Sequence, residues 1–428
     1  MNKMILAAFA ALAILLPACG VLAGEAVYPA KVSPNGRYFV DQKGEPVFWL
    51  GTTQWQLFRD NTPEDARLIL ANAKAKGFSF VQAMLAGVGD GTKPNFAGAK
   101  PWLNDNPLTP NEAYFKNVDA AVAAARDNNL CLSVTLFHQR WRKIITPENG
   151  RAWAKWLAAR YKDAPTIVWS MTPEAKPEFV PVLRQLAAGL REGDGGAHLV
   201  TFKPDPAPFS SSFIHGEAWL DFDSMQVWKS INLIYPMVTH DYGLTPIKPV
   251  LMAEGAYEAG TEYGFDVTPL SVRRQAWYSY LCGSHYTYGH NDSWRMLPAW
   301  KKALDAPGAV QMGVLKKIFL ERSQWWFLAP DQGIFESGGN IKGDVLNLAA
   351  RHTGGRWVLV YLAAKSSCSV HMDKVAAAGR AQATWIDPRT GDATAAGSFP
   401  ASGVQAFSTP EGWEDALLVL EPAKGEVR

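Results

Sequence analysis

Between Val47 and about Arg322, short apolar runs alternate eight times with longer amphipathic stretches, and this alternation constrains the fold more than any other feature. Strand-like runs separated by helical patterns specify a parallel sheet with crossover helices. The runs are 47–50, 78–84, 131–137, 166–171, 198–202, 222–228, 249–253 and 285–288, and the clearest helical stretches are 63–76, 111–128, 148–161 and 269–281. Thr62 before Pro63 has the form of an N-cap followed by a first helical turn, and Gly77 the form of a stop. Eight units over roughly 275 residues fit a (β/α)8 TIM barrel better than an open doubly wound sheet. No glycine-rich dinucleotide fingerprint follows the first strand, which removes the main argument for the open sheet.

The rhythm changes after Pro330. Apolar segments at 345–350, 357–363, 383–386 and 416–420, punctuated by Thr353-Gly354-Gly355 and Pro388-Arg389-Thr390-Gly391, specify a small all-β sandwich. A hairpin formed by 37–40 and 46–48 leads into the barrel. At the front, Lys3 precedes an apolar run from Met4 to Leu16, and Val21-Leu22-Ala23 offers small residues for cleavage, the form of a secretory signal. Leu16-Pro17-Ala18-Cys19 also resembles a lipoprotein box in which Cys19 would carry lipid. The expected organisation is a signal at 1–23, a catalytic barrel with its hairpin at 27–330, and the β-sandwich at 331–428. No later stretch is apolar for the ~20 residues a transmembrane helix needs.

Charge narrows the function classes. Lys and Arg number 42 against 40 Asp and Glu, a net charge of +2, so nucleic-acid binding by a concentrated positive field is not expected. The chain holds 17 Trp and 13 Tyr, rings that suit the C–H faces of sugars as well as a large core. Cys131, Cys282 and Cys368 are too few and too widely spaced for a disulfide framework, although two could pair in an exported chain. The eight His show no HExxH, and His285 and His290 do not share a helix face, so no metal is expected. No G-x-S-x-G elbow and no phosphate-cradling loop occur, and no cofactor is called for.

Barrel enzymes carry their chemistry just after the strands. Glu174 follows the fourth strand and Glu254 ends the seventh, where a charge terminating an apolar run is costly without a task or a partner. Two carboxyls facing one cleft suffice for acetal cleavage, one protonating the leaving oxygen and the other attacking or activating water. Around them the same mouths carry Gln54, Trp55, His138, Trp141, Trp228, Tyr257, Glu258, His290 and Trp294, a polar, aromatic-walled setting suited to carbohydrate. Asp221 and Asp223 flank Phe222 at the opposite end of the sixth strand and read as structural.

Several segments carry a family resemblance: Gly36-Arg37-Tyr38, Phe48 to Trp55, Pro110 to Phe115 with Val118-Asp119, Trp219 to Phe222, Lys248 to Val250, Glu254 with Tyr257-Glu258, Val272 to Arg274, Tyr288 to His290 and Asp387 to Gly391. Together these resemble the apiosidase-like glycoside hydrolases, a barrel family often followed by a collagen-binding-type β domain. The resemblance implies an acidic residue after strand four and a Glu after strand seven, which map onto Glu174 and Glu254. Three places depart from the family pattern: Thr172-Pro173-Glu174 replaces two Gly and an Asp, Thr52 replaces an Asp, and Met225 to Trp228 replaces Gln-Ser-Gly-His. The expectation is an exported glycosidase that acts on polysaccharide side chains. Glu174 would be the acid and Glu254 the nucleophile of a retaining reaction, their carboxyls about 5 to 5.5 Å apart. The alternative is a catalytically inert carbohydrate-binding protein on the same fold.

Overall fold

The computed structural model describes Tyr28 and residues 31–89, 93–138, 143–377 and 379–425. The signal, Cys19 and Trp141 lie outside the described residues.

Eight parallel strands form the barrel: β1 (Leu50–Thr53), β2 (Phe80–Met84), β3 (Cys131–Thr135), β4 (Ile167–Ala175), β5 (Val200–Pro204), β6 (Asp223–Gln226), β7 (Val250–Glu254) and β8 (Ser284–Tyr288). The hydrogen-bonded order is β5-β4-β3-β2-β1-β8-β7-β6. Closure between β5 and β6 uses the Asp221 amide on Val200 O at 3.0 Å and the Thr201 hydroxyl on Phe222 O at 2.8 Å. Asp221 also accepts from the Val200 amide at 2.6 Å and pairs with Arg191. A side chain thus completes the seam where main-chain pairing stops.

Helices α1 (Pro63–Ala75), α2 (Glu112–Asp127), α3 (Pro147–Tyr161) and α4 (Val180–Asp194) follow β1 to β4. α5 (Ile234–Tyr242) follows β6 and α6 (Pro269–Leu281) follows β7. After β8 come α7 (Asn291–Arg295), α8 (Trp300–Ala303) and α9 (Pro307–Leu320), while a short 3-10 turn at Ser211–Ile214 serves the fifth crossover. The Thr62 side chain accepts from the Asp65 amide and starts α1 as a cap should. Gly189 lets α4 approach α3 closely: a Cβ there would stand 2.2 Å from Arg151 O.

The N-terminal end of the barrel is plugged. Trp49, Phe80, Cys131, Val168, Leu199, Phe222 and Leu251, all just before or at the start of their strands, pack around Phe39. Phe39 comes from a small antiparallel sheet of Lys31–Val32, Phe39–Val40 and Pro46–Val47, one strand more than the expected hairpin. Trp49 and Phe80 stack in this plug with ring centres 3.6 Å apart.

Nine further strands build the sandwich: β9 (Leu328–Pro330), β10 (Phe335–Ser337), β11 (Asn347–His352), β12 (Val358–Leu362), β13 (Ser367–His371), β14 (Arg380–Ile386), β15 (Ala393–Pro400), β16 (Val404–Ser408) and β17 (Ala416–Pro422). A six-stranded antiparallel sheet, β9-β11-β12-β17-β14-β15, faces a three-stranded one, β10-β13-β16. Every residue of β12 is buried, because both faces are covered. Val358, Val360 and Leu362 meet Val370 and Phe407 of the smaller sheet. Leu359 and Tyr361 join the barrel core, where Trp277 of α6 stacks on Tyr361 at 5.6 Å. Arg273 of α6 grips the buried Asp415 through Nε and Nη2 at 2.8 and 2.6 Å. Cys131, Cys282 and Cys368 are all buried and unpaired. No helix among the described residues is long and apolar enough to cross a membrane.

Candidate active site

A pocket of about 260 Å³ opens at the C-terminal end of the barrel. Glu174 at the end of β4 and Glu254 at the end of β7 both line it, together with Trp55, His138, Trp228, Tyr257 and Trp294. Two distant stretches of sequence thus deliver carboxyls to one cleft, as the closed barrel requires.

Glu174 stands on an irregular strand end. The pairing of β4 with β5 shifts register between Ser170 and Pro173 and again before Ala175, and Glu174 has φ of 57°. Trp228, across the pocket, has φ of 52°. Bulky side chains rarely take this left-handed backbone, and such strain persists where the surrounding structure fixes a side chain for a task.

Glu254 is 7 % exposed and its carboxylate is not left alone. Lys203, the fourth residue of β5 and 2 % exposed, places its Nζ on Glu254 Oε2. The ammonium also lies 4.6 Å from the centre of the Trp55 ring, a cation held over an aromatic face. Trp55 Nε1 donates to the Tyr257 hydroxyl at 2.9 Å. Burial, then the Glu254 charge and a hydrogen bond to that carboxylate, push Tyr257 well above the usual tyrosine range. Tyr257 therefore keeps its proton and, with Lys203, fixes the orientation of Glu254.

Further round the rim, Arg295 lies 4.4 Å from the Trp294 ring centre and pairs with Glu262 at 2.9 Å. Tyr263 completes the wall against Trp228, with ring centres 5.6 Å apart.

Three of the residues expected at the mouth point elsewhere. Glu258 is buried behind the site, where Oε2 accepts from Tyr288 at 2.5 Å and Oε1 from the Gly308 amide at 3.2 Å, tying β8 to α9. Gln54 donates to Ser293 Oγ at 3.3 Å under the loop that follows β8. His290 caps α7, its Nδ1 accepting from the Asp292 amide at 3.1 Å, and burial lowers it below the ordinary histidine range. At the far end, Asp223 accepts from His215 Nδ1 at 2.7 Å inside the wall.

Lys203, Glu262, Tyr263 and Arg295 were not singled out from sequence. Lys203 carried the signal that drew attention to Glu254, a charge at the end of an apolar strand, here Val200-Thr201-Phe202. Glu262 and Tyr263 lie on a loop, and Arg295 ends the five-residue helix α7, places that no local pattern reveals.

Comparison with known proteins fits this geometry. A family model described as "Apiosidase-like, catalytic domain" matches residues 33–326, and one described as "Putative collagen-binding domain of a collagenase" matches residues 329–421. No curated protein matches the sequence. Among solved structures, one titled glycoside hydrolase is 23% identical with a TM-score of 0.84, covering 93% of this chain and 98% of that one. A glycoside hydrolase family 5 protein from Bacteroides vulgatus is also 23% identical with a TM-score of 0.84, covering 92% and 93%. A GH27 β-L-arabinopyranosidase from Geobacillus stearothermophilus, bound to arabinose, is 11% identical with a TM-score of 0.53, covering 88% and 97%. At these identities the shared property is the fold.

Proposed function

Because the chain belongs to the apiosidase-like family, we propose that it is an exported glycoside hydrolase in which Glu174 and Glu254 cleave a glycosidic bond. The observation that carries this reading is the convergence of the two carboxyls on one pocket, with Lys203 supplying a counter-charge to Glu254. A carboxylate with a fixed ammonium beside it suits the nucleophile. Glu174, on the opposite strand, is then the acid.

Glu174 protonates the glycosidic oxygen as Glu254 attacks the anomeric carbon, and the bond to the leaving sugar breaks as the bond to Glu254 forms. Water then gives its proton to Glu174 and displaces Glu254, which returns the anomeric configuration to that of the substrate. Among the described residues, the lysine and the arginine that line the pocket are already ion-paired, which favours a neutral sugar over a uronate. The substrate would be a polysaccharide side chain, with a furanose such as apiose or arabinose at the reacting end. Export would use residues 1–23, and Cys19 would be the acylation point of a lipoprotein. Residues 27–330 would form the catalytic unit and 331–428 its β partner.

The test is sugar release from a panel of plant cell-wall polysaccharides and aryl glycosides. Glu254→Gln should lower turnover by about 10⁴-fold or more while sugar binding persists. The departure at Thr172-Pro173-Glu174 favours one alternative, a binding protein without turnover. That alternative is established if wild type and Glu254→Gln both bind glycan and neither releases sugar.

A further inference from the structure

A second cavity, of about 550 Å³ and so twice the size of the first, lies beside the catalytic pocket at the junction with the sandwich. The two share Tyr263 as a common wall. Trp228 lines the first, and the next residue, Lys229, lines the second. The floor continues from Tyr263 to Phe265, with ring centres 6.3 Å apart, and Phe265 is 39 % exposed. Lys229, Asn232, Arg274 and Asp344 of the sandwich also line this second cavity.

We propose that this cavity binds the leaving-group side of the substrate, the glycan chain from which the pocket removes its sugar. This rests on the hydrolase reading above. Three features favour a carbohydrate occupant. Phe265, 39 % exposed, offers a ring face to sugar C–H groups, and the buried Tyr263 backs both it and the Trp228 ring. Lys229 and Asp344 are exposed and form no ion pair among the described residues, so both remain available to hydroxyls. Arg274 is fixed in place because Nε and Nη2 both donate to Ala363 O, at 2.9 and 2.6 Å. A mixed polar and aromatic crevice at a junction between units is where ligand sites concentrate. It also gives the sandwich a share in substrate binding without a separate glycan site.

The test compares Phe265→Ala and Asp344→Ala with wild type on two probes, the polysaccharide that wild type cleaves best from the cell-wall panel and a 4-nitrophenyl glycoside of the same sugar. The ratio of kcat/KM on polymer to kcat/KM on aryl glycoside should fall about tenfold in each variant, through KM for the polymer. Asp344→Ala is decisive because the residue belongs to the sandwich. An unchanged ratio in either variant overturns the proposal, as does a proportional loss on both probes. If wild type cleaves the aryl glycoside but no polymer, the cavity assignment falls and the hydrolase stands. If wild type cleaves and binds neither, both fall together.

Discussion

The two ends of the barrel are made from the same eight strands and obey opposite rules. At the N-terminal end, the first residues of the strands close on Phe39 with apolar and aromatic groups, and His285 is the one titratable ring packed against Phe39 there among the described residues. At the C-terminal end the last residues carry Glu174, Lys203 and Glu254, with left-handed backbone at Glu174 and Trp228. Burial stabilises the first end by removing apolar surface from water. The second buries charge, which is tolerable only because Lys203 and Glu254 face each other. A single change should therefore act on stability at one end and on chemistry at the other, and substitutions can measure how cleanly the two separate.

Lys203→Met should give the largest effect. It leaves the Glu254 carboxylate buried without its counter-charge, which costs about 3 to 5 kcal/mol when a buried pair is broken from one side. If Glu254 is the nucleophile, as proposed, turnover should fall about 100-fold as its carboxylate loses its orientation. Adding Glu254→Gln removes the second charge, so the double variant should return to within about 1 kcal/mol of wild type in urea unfolding while staying inactive. Losses that simply add would show that the pair is not what makes this end costly.

Phe39→Ala should act at the other end alone. It opens a cavity beneath Trp49 and Phe222, whose rings lie 5.0 and 5.1 Å from Phe39. The expected loss is about 3 to 5 kcal/mol of stability. Turnover per folded molecule should stay within a factor of two of wild type at a temperature where both are folded. A tenfold loss of turnover would mean that the plug also holds the mouth in shape.

Much of this contrast was legible in the sequence, because strand count and strand ends follow from local pattern. All eight barrel strands lie at or beside the apolar runs that announced them. The first is displaced from 47–50 to Leu50–Thr53, since Gly51, Thr52 and Thr53 enter the sheet with little apolar signal. Of the sandwich, the buried strands β11, β12, β14 and β17 were visible, whereas β9, β10, β13, β15 and β16 were not. For β15 the exposed pattern of Ala393–Pro400 shows why: an outer strand without a regular buried face leaves no period to find. The residues of the pocket divide along the same line. Glu174 and Glu254 could be placed from strand ends alone. Whether Glu258, four residues beyond Glu254, faces the pocket or Tyr288 depends on the turn of the following loop, which only the folded chain fixes.

His285 offers the smallest and most specific test, because it is the titratable ring packed against Phe39 at the apolar end. Its ring packs 5.1 Å from Phe39, and its Nδ1 has no hydrogen-bond partner among the described residues. Burial pushes its pKa from 6.5 down to about 4, against the opposing effect of a hydrogen bond with the Arg37 backbone. The folded chain therefore holds the ring neutral over a range in which the unfolded chain protonates it. Stability from this source is complete above pH 6.5 and is lost as pH falls toward 4, where the loss reaches about 3 kcal/mol. Urea unfolding of wild type and His285→Leu at pH 7.5 and pH 4 isolates the effect, since carboxylate protonation elsewhere is common to both. Wild type should lose about 3 kcal/mol more than the variant between the two conditions. Equal losses would mean that water reaches the ring, and that the N-terminal end is less tightly closed than the packing of Phe39, Trp49 and Phe80 implies.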